Sequence, residues 1–184
     1  REAAEQNIPF IAVGLYYYEG YLHHDLTSPL SVGLTPVVDK QNNRIIVTIP
    51  IQNTQVHVAA WSMRIGSVCV YLLDTNIPEN SEENRRINDQ LYAGSKEIRF
   101  KQEMVLGLGG LWMLKALQIQ PIGYHLNEGH SALLALEIAR YEMKKHKRTF
   151  VEEIANTKKH IFFTNHTLVP AGNDTFNADL VGTL

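Results

Sequence analysis

The chain of 184 residues is short of cysteine: Cys69 is the only one. A single thiol excludes an internal disulfide and fits a reducing compartment, so a cytoplasmic location is expected. Cys69 stands in the apolar run Val68-Cys69-Val70-Tyr71-Leu72-Leu73. Burial there raises a thiol's pKa and argues for a structural residue rather than a nucleophile. Charge of one sign is also lacking. Lys and Arg number 17 against 19 Asp and Glu, a net charge of -2, which leaves no electrostatic case for nucleic acid or an anionic membrane. The one basic run, Lys144-Lys145-His146-Lys147-Arg148, falls where a helix should end and complements its dipole. No apolar stretch reaches membrane-spanning length, no signal-like segment is visible, and there are no internal repeats or low-complexity tracts.

What is there is ordinary globular material. Hydrophobic residues make up 45% and charged residues 20%, enough for one domain with a real core. Arg1 to Gln6 reads as helix already under way, without an initiator Met, so residues 1–184 are expected to be a partial domain excised from a longer protein. Ile8 to Leu15 reads as a buried strand opened by Pro9. The stretches Arg44 to Pro50, Gln55 to Arg64 and Val68 to Leu73 are β-branched and partly alternating, as in an antiparallel meander, the first entered through the turn Gln41-Asn42-Asn43. Ser81 is a candidate N-cap for a helix to Leu91, and Ser95 for one running to about Leu117. The second carries Gly107, Gly109 and Gly110, each costing about 1 kcal/mol against Ala, so a neighbouring element is expected to approach it closely. Trp61 and Trp112 are read as core residues. From Pro121 the order is strand (to Leu126), helix (Gly129 to about Lys145), Thr149-capped helix, strand (His160 to Thr164), an alternation that implies a parallel sheet.

Two strand ends carry the chemistry. The first is Gly123-Tyr124-His125-Leu126-Asn127-Glu128-Gly129-His130-Ser131, the second Phe162-Phe163-Thr164-Asn165-His166-Thr167. In open α/β sheets ligands collect at the carboxyl ends of strands. His125, Glu128 and His130 do not have the spacing of a helical zinc site, so no metal is expected. Asn127 and Glu128 sit at a strand exit, and His130 near a helix N-terminus, where its proton affinity falls. A neutral imidazole beside a carboxylate suits hydroxyl groups, which both donate and accept. The plainer reading, in which Glu128 caps the helix and His130 packs, stands beside it. Asn165, His166 and Thr167 bring an amide, an imidazole and a hydroxyl to the second strand end, with a turn-forming loop as the plainer reading there. His23, His24 and Asp25 follow an aromatic run and are a third candidate, with a surface loop as the simpler alternative.

These segments together resemble the α-glucan phosphorylases, the glycogen, starch and maltodextrin enzymes, and most of all their shorter bacterial and archaeal form. The resemblance rests on 11–16 (Ile11-Ala12-Val13-Gly14-Leu15-Tyr16), on Val70-Tyr71-Leu72-Leu73-Asp74-Thr75-Asn76-Ile77-Pro78-Glu79-Asn80, and on Leu91-Tyr92. It continues through Ile98-Arg99-Phe100-Lys101-Gln102-Glu103, Leu106-Gly107-Leu108-Gly109-Gly110 and the two strand ends. It implies a Rossmann-like parallel sheet flanked by helices with an antiparallel β extension, the N-terminal half of a two-domain (GT-B) glycosyltransferase. It implies phosphorolysis of a terminal α-1,4-glucosyl unit to glucose 1-phosphate, with an α-1,4-glucan and inorganic phosphate as partners. Pyridoxal phosphate is implied as cofactor, on a lysine after residue 184, and the family's glycine-rich phosphate loop is expected before residue 1. By the same resemblance His166 is the catalytic residue at the glucosyl site, Glu128 and His130 lie on the sugar or acceptor side, Asn165 is adjacent support, and a homodimer is possible in the full-length enzyme. Asn173 stands where many relatives have His, and 23–36 does not match the usual Gln- and Trp-containing segment. The chain alone is expected to be inactive. A sugar-nucleotide-dependent glucan synthase of the same fold and a non-catalytic glucan-binding module are the alternatives.

Overall fold

The structure, a computed structural model, describes residues 2–19, 29–91, 95–167, 169 and 174–183. After a short helix α1 (Glu2–Glu5), strand β1 (Ile11–Leu15) pairs in parallel with β5 (Val68–Asp74). Between them in sequence lie β2 (Thr35–Pro36), β3 (Ile46–Ile51) and the twelve-residue β4 (Thr54–Ile65), with β2 and β3 both antiparallel to β4. With β4 also antiparallel to β5, the result is one five-stranded mixed sheet. The expected meander is therefore present, and β5 is the strand at which its antiparallel pairing turns parallel. Local chemistry builds it. Asp39 Oδ1 accepts from the N–H of Gln41 and Asn43 at 2.9 and 2.8 Å and shapes the turn into β3, with Asn42 at φ +66°. Gly66 takes φ +58° in the β4–β5 turn, a conformation glycine adopts freely.

The helical layer consists of α3 (Lys96–Met104), a π-helical turn (Val105–Gly109) and α4 (Gly110–Ala116), which run on as the single helix the sequence pattern predicts. Ser95 Oγ caps it by accepting from Ile98 N–H. The core forms between this helix and the sheet, with Ile49, Ile51, Val56, Val58, Leu73, Val105 and Met113 fully buried. The glycine cluster has the expected cause. A Cβ on Gly107 would meet Leu134 N at 2.8 Å and Leu133 Cβ at 2.9 Å, so glycine is what lets α5 (Leu133–His146) begin against the π turn.

The helix expected from Ser81 to Leu91 is cut short. Only α2 (Glu82–Arg85) forms, with Ser81 as its cap. The backbone of the following residues is claimed by tertiary partners. Gln102 Nε2 donates to the carbonyls of Ile87 (2.8 Å) and Gln90 (3.0 Å), and Asn88 and Asp89 carbonyls accept from Tyr18 and Glu19 N–H. The two tryptophans are half-buried rather than interior. Their indole N–H groups donate to the buried carboxylates of Asp74 (2.7 Å) and Glu137 (2.8 Å). Cys69 is half-buried too.

Strands β6 (Tyr124–Asn127) and β7 (Ile161–Thr164) are parallel, joined through α5 and α6 (Phe150–Thr157), as the alternation of elements predicts. A reciprocal capping box between Thr149 and Glu152 starts α6. The basic run closes α5 at Lys147, which is left-handed at φ +55°. The single sheet expected is, however, two. Among the described residues β6 and β7 pair only with each other, and β1 only with β5. A last helix, α7 (Ala178–Thr183), ends the chain.

Candidate functional site

The site is built where β6 and β7 end. Glu128 N–H donates to Thr164 O at 2.9 Å and carries the parallel ladder one residue past β6. Its backbone then takes φ +64°, ψ 175°, a region that is nearly glycine-only and costs about 1–3 kcal/mol for other residues. Three contacts hold it there. Ser131 Oγ donates to Glu128 O at 3.3 Å, and Glu128 Oε1 accepts from His166 N–H at 2.7 Å and from Thr167 Oγ at 3.4 Å. Glu128 Oε2 is shielded from solvent and has no hydrogen-bond partner among the described residues. The carboxylate of the first strand end thus binds the backbone of the second.

His166 is exposed and bonded on its ring as well: Nε2 lies 3.1 Å from Asn127 Oδ1. With the amide oxygen facing the ring, Nε2–H donates and Nδ1 is left as an acceptor in the neutral imidazole. Asn165 Oδ1 closes an Asx turn onto Thr167 N–H at 2.9 Å, so its side-chain oxygen shapes the loop. The two polar strand ends found in the sequence therefore converge, and the hydrogen bonds linking them run through Asn127, Glu128, His166 and Thr167. Asn127 and Thr167, read from the sequence as polar strand-end residues without an assigned role, belong to this contact as fully as Glu128 and His166.

His130 lies in the 3-10 turn Gly129–Ser131 ahead of α5. Desolvation of its ring lowers its pKa, with the Arg99 guanidinium adding to that, against the Glu128 and Asp174 carboxylates, which raise it. The lowering has the direction expected, with desolvation as its main cause. Gly129 beside it has open space where a side chain would stand. Three further groups face the same region and carry no sequence signal beyond the motif at 98–103. Arg99 on α3 pairs with Asp174, and Glu103, one turn further along α3, is buried. Burial, helped by Asp174 and opposed by Arg99, raises the Glu103 carboxyl to about 7. His125 is turned elsewhere, its Nε2 lying 2.6 Å from Thr164 Oγ across the strand pair. Among the described residues no three His, Cys, Asp or Glu side chains group as metal ligands do. His23, His24, Asp25 and Asn173 lie outside the described residues. No helix among the described residues is long and apolar enough to cross a membrane.

No family model matches the chain. Curated proteins do. The maltodextrin phosphorylase of Thermococcus litoralis is 34% identical over 188 residues, covering 96% of this chain and 22% of that protein. The glycogen phosphorylase of Mycobacterium tuberculosis is 32% identical over 199 residues, covering 98% of this chain and 23% of its own. That of Aquifex aeolicus is 30% identical over 189 residues, with 96% and 27% covered. The chain spans about a quarter of the length of the curated relatives it matches. Along nearly the whole of its own length it is a homologue of the maltodextrin and glycogen phosphorylases.

Proposed function

We propose that residues 1–184 form part of the N-terminal, Rossmann-like unit of a two-domain α-1,4-glucan phosphorylase. In that reaction inorganic phosphate displaces a terminal α-1,4-linked glucosyl unit, which leaves as glucose 1-phosphate with its anomeric configuration retained. The observation that carries the reading is the tie between the two strand ends: Glu128 Oε1 accepts from His166 N–H at 2.7 Å while Asn127 Oδ1 faces the His166 ring at 3.1 Å. This fixes the His166 imidazole at one place on a strand end, with Asn127 and Glu128 beside it, an arrangement suited to grip sugar hydroxyls, which donate and accept together. His166 is the group that touches the glucosyl unit. Glu128, with one carboxylate oxygen bonded to the His166 backbone and the other shielded, acts by holding His166. His130, poised toward its neutral form, is a second donor or acceptor for the sugar or for the glucan chain beyond it.

Pyridoxal phosphate would supply a phosphate group for proton transfer when bound. The lysine side chains described here do not fit its attachment. The one buried lysine among the described residues, Lys101, is paired with Glu83 at 3.1 Å and Glu97 at 2.8 Å. Desolvation works to lower its pKa, yet these carboxylates leave it raised overall, so it stays a charged ammonium and a poor nucleophile. In this reading the attachment lysine belongs to polypeptide outside these residues.

The test is glucose 1-phosphate release from maltoheptaose and phosphate. The longest natural polypeptide containing these residues should turn over, His166→Ala in it should lose about 100-fold or more in kcat/KM, and the 184-residue chain alone should show no turnover. Turnover by the isolated chain, or an undiminished His166→Ala enzyme, would sink the proposal.

A further inference from the structure

The segment 174–176 is held against one face of α3. Residues three and four apart on a helix share a face, and Lys96, Arg99, Phe100 and Glu103 have that spacing. The first three each grip the segment at a different residue. Lys96 Nζ donates to Thr175 O at 2.9 Å. Arg99 Nη2 donates to Asp174 Oδ2. The rings of Phe100 and Phe176 meet with centroids 4.7 Å apart, Phe100 being buried and Phe176 packed on the core. Directly after Phe176, Asn177 Oδ1 accepts from the N–H groups of Asp179 and Leu180 at 2.7 and 3.1 Å and starts α7. On the other side, 168–173 lead back to Thr167 and His166. The clamp therefore fixes the far end of the chain that leaves the strand-end site.

Glu103, the fourth residue of that face, works against the clamp. It is 8% exposed, and its carboxyl feels Arg99 on its own helix and Asp174 on the segment. Arg99 and Asp174 already balance each other. An ionised Glu103 sets a second carboxylate beside them in a place largely shut off from water, and a buried charge without compensation is costly. The surrounding charges are otherwise engaged. Lys96 has its ammonium on Thr175 O, and Lys101, also on α3, is committed to Glu83 and Glu97. His130, in the turn before α5, feels Asp174, Arg99 and Glu128, but desolvation disfavours its imidazolium.

We propose that α3 and 174–176 form a proton-sensitive latch: with Glu103 neutral the segment stays docked beside the strand-end site, and with Glu103 ionised it lets go. The coupling is reciprocal, as linkage requires. Asp174 contributes to raising the Glu103 carboxyl to about 7, and that contribution is lost when the segment leaves and gives the carboxylate water. The docked state thus holds the proton more tightly than the open one, so docking is firm at low pH and weakens as pH rises through about 7. Opening also removes the Asp174 charge from His130 and leaves that of Arg99 behind, which lowers the proton affinity of the imidazole in the same step. Nothing in the latch requires glucan or phosphate, so it goes beyond the phosphorylase reading and does not depend on it.

The test is limited proteolysis by chymotrypsin, which cuts after aromatic residues and tracks the population of the open form when reclosing outruns cutting. In the 184-residue chain, first cuts after Phe176 are counted by mass spectrometry against first cuts after Phe100, which unfolding of the core exposes. Their ratio cancels the protease's own pH dependence. From pH 6 to pH 8 the ratio should rise about 5-fold or more. In Glu103→Gln, which has no carboxyl to ionise, it should stay level. Asp174→Asn, at an exposed position, serves as the second variant. It should raise the ratio at pH 6, because Arg99 loses its partner, and make the rise to pH 8 smaller. A level ratio in the parent, which includes the case where both cuts speed up together, overturns the latch. So does a full rise in either variant. Glucose 1-phosphate release is scored separately: the rise without phosphorolysis upholds the latch and defeats the phosphorylase reading, and phosphorolysis without the rise does the reverse.

Discussion

Replacing Gly107 by alanine tests how tightly α5 is seated on the π turn, and with it the seat of the whole strand-end site. The new methyl would stand 2.8 Å from Leu134 N, 2.9 Å from Leu133 Cβ and 3.0 Å from Leu133 C. Two of these atoms are backbone, so no rotamer change relieves the overlap and the start of α5 must move. Overpacking of this kind costs about 1–3 kcal/mol, while alanine's helix propensity returns up to about 1 kcal/mol. Because relief requires shifting a backbone, the upper part of the overpacking range applies, and the net destabilisation expected is about 1–2 kcal/mol. For a chain of this size that lowers Tm by roughly 2–8 °C. Gly109→Ala is the internal control two residues away. Its methyl would meet Val58 Cγ2 at 3.5 Å, ordinary contact, so helix propensity dominates and Tm should hold or rise. Thermal melts of the two variants beside the parent decide the matter. Equal shifts of the same sign, or a Gly107→Ala protein as stable as the parent, would refute the close-approach argument.

At Glu128 the backbone strain can be separated from the side chain by comparing Glu128→Ala with Glu128→Gly. Both lose the bond to His166 N–H, so both should speed exchange of the His166 amide, while only glycine relaxes the φ of +64°. The glycine variant should be more stable than the alanine variant by about 1–2 kcal/mol in denaturant titration, and the reverse order would dismiss the strain. For Glu103, burial raises the folded pKa to about 7, above its value in the unfolded chain. The folded state then holds the proton more tightly, so Glu103's contribution is fully present below about pH 4.3 and is lost as pH rises through about 7. Glu103→Gln should remove that slope and be the more stable protein at pH 8, by on the order of 3 kcal/mol at most. Parallel pH-stability profiles for variant and parent would contradict it.

The parts of this molecule legible in its sequence are those decided within a few residues of chain. Ser95 and Thr149 cap the helices they were expected to cap, because an oxygen three residues ahead of a free N–H needs no tertiary help. The meander, the parallel β6–β7 pair and the crowding at Gly107 followed from alternation, element order and the cost of glycine in a helix. The helix expected past Arg85 failed because its carbonyls were worth more to Gln102, Tyr18 and Glu19 than to a helix, and no local pattern signals such a competitor.

The same division runs through the site. Sequence by itself placed Asn127, Glu128, Asn165 and His166 at strand ends and His130 near a helix N-terminus, since side-chain chemistry and position in an element are local properties. Tertiary structure alone decided that Glu128 turns into a glycine-like conformation to hold His166, 38 residues away, and that Arg99 meets Asp174 across 75 residues. It also decided that Glu103 loses its water beside them. Hydrogen bonds, charges and desolvation act through space over a few ångströms, and only the folded backbone determines which distant residues come within that reach.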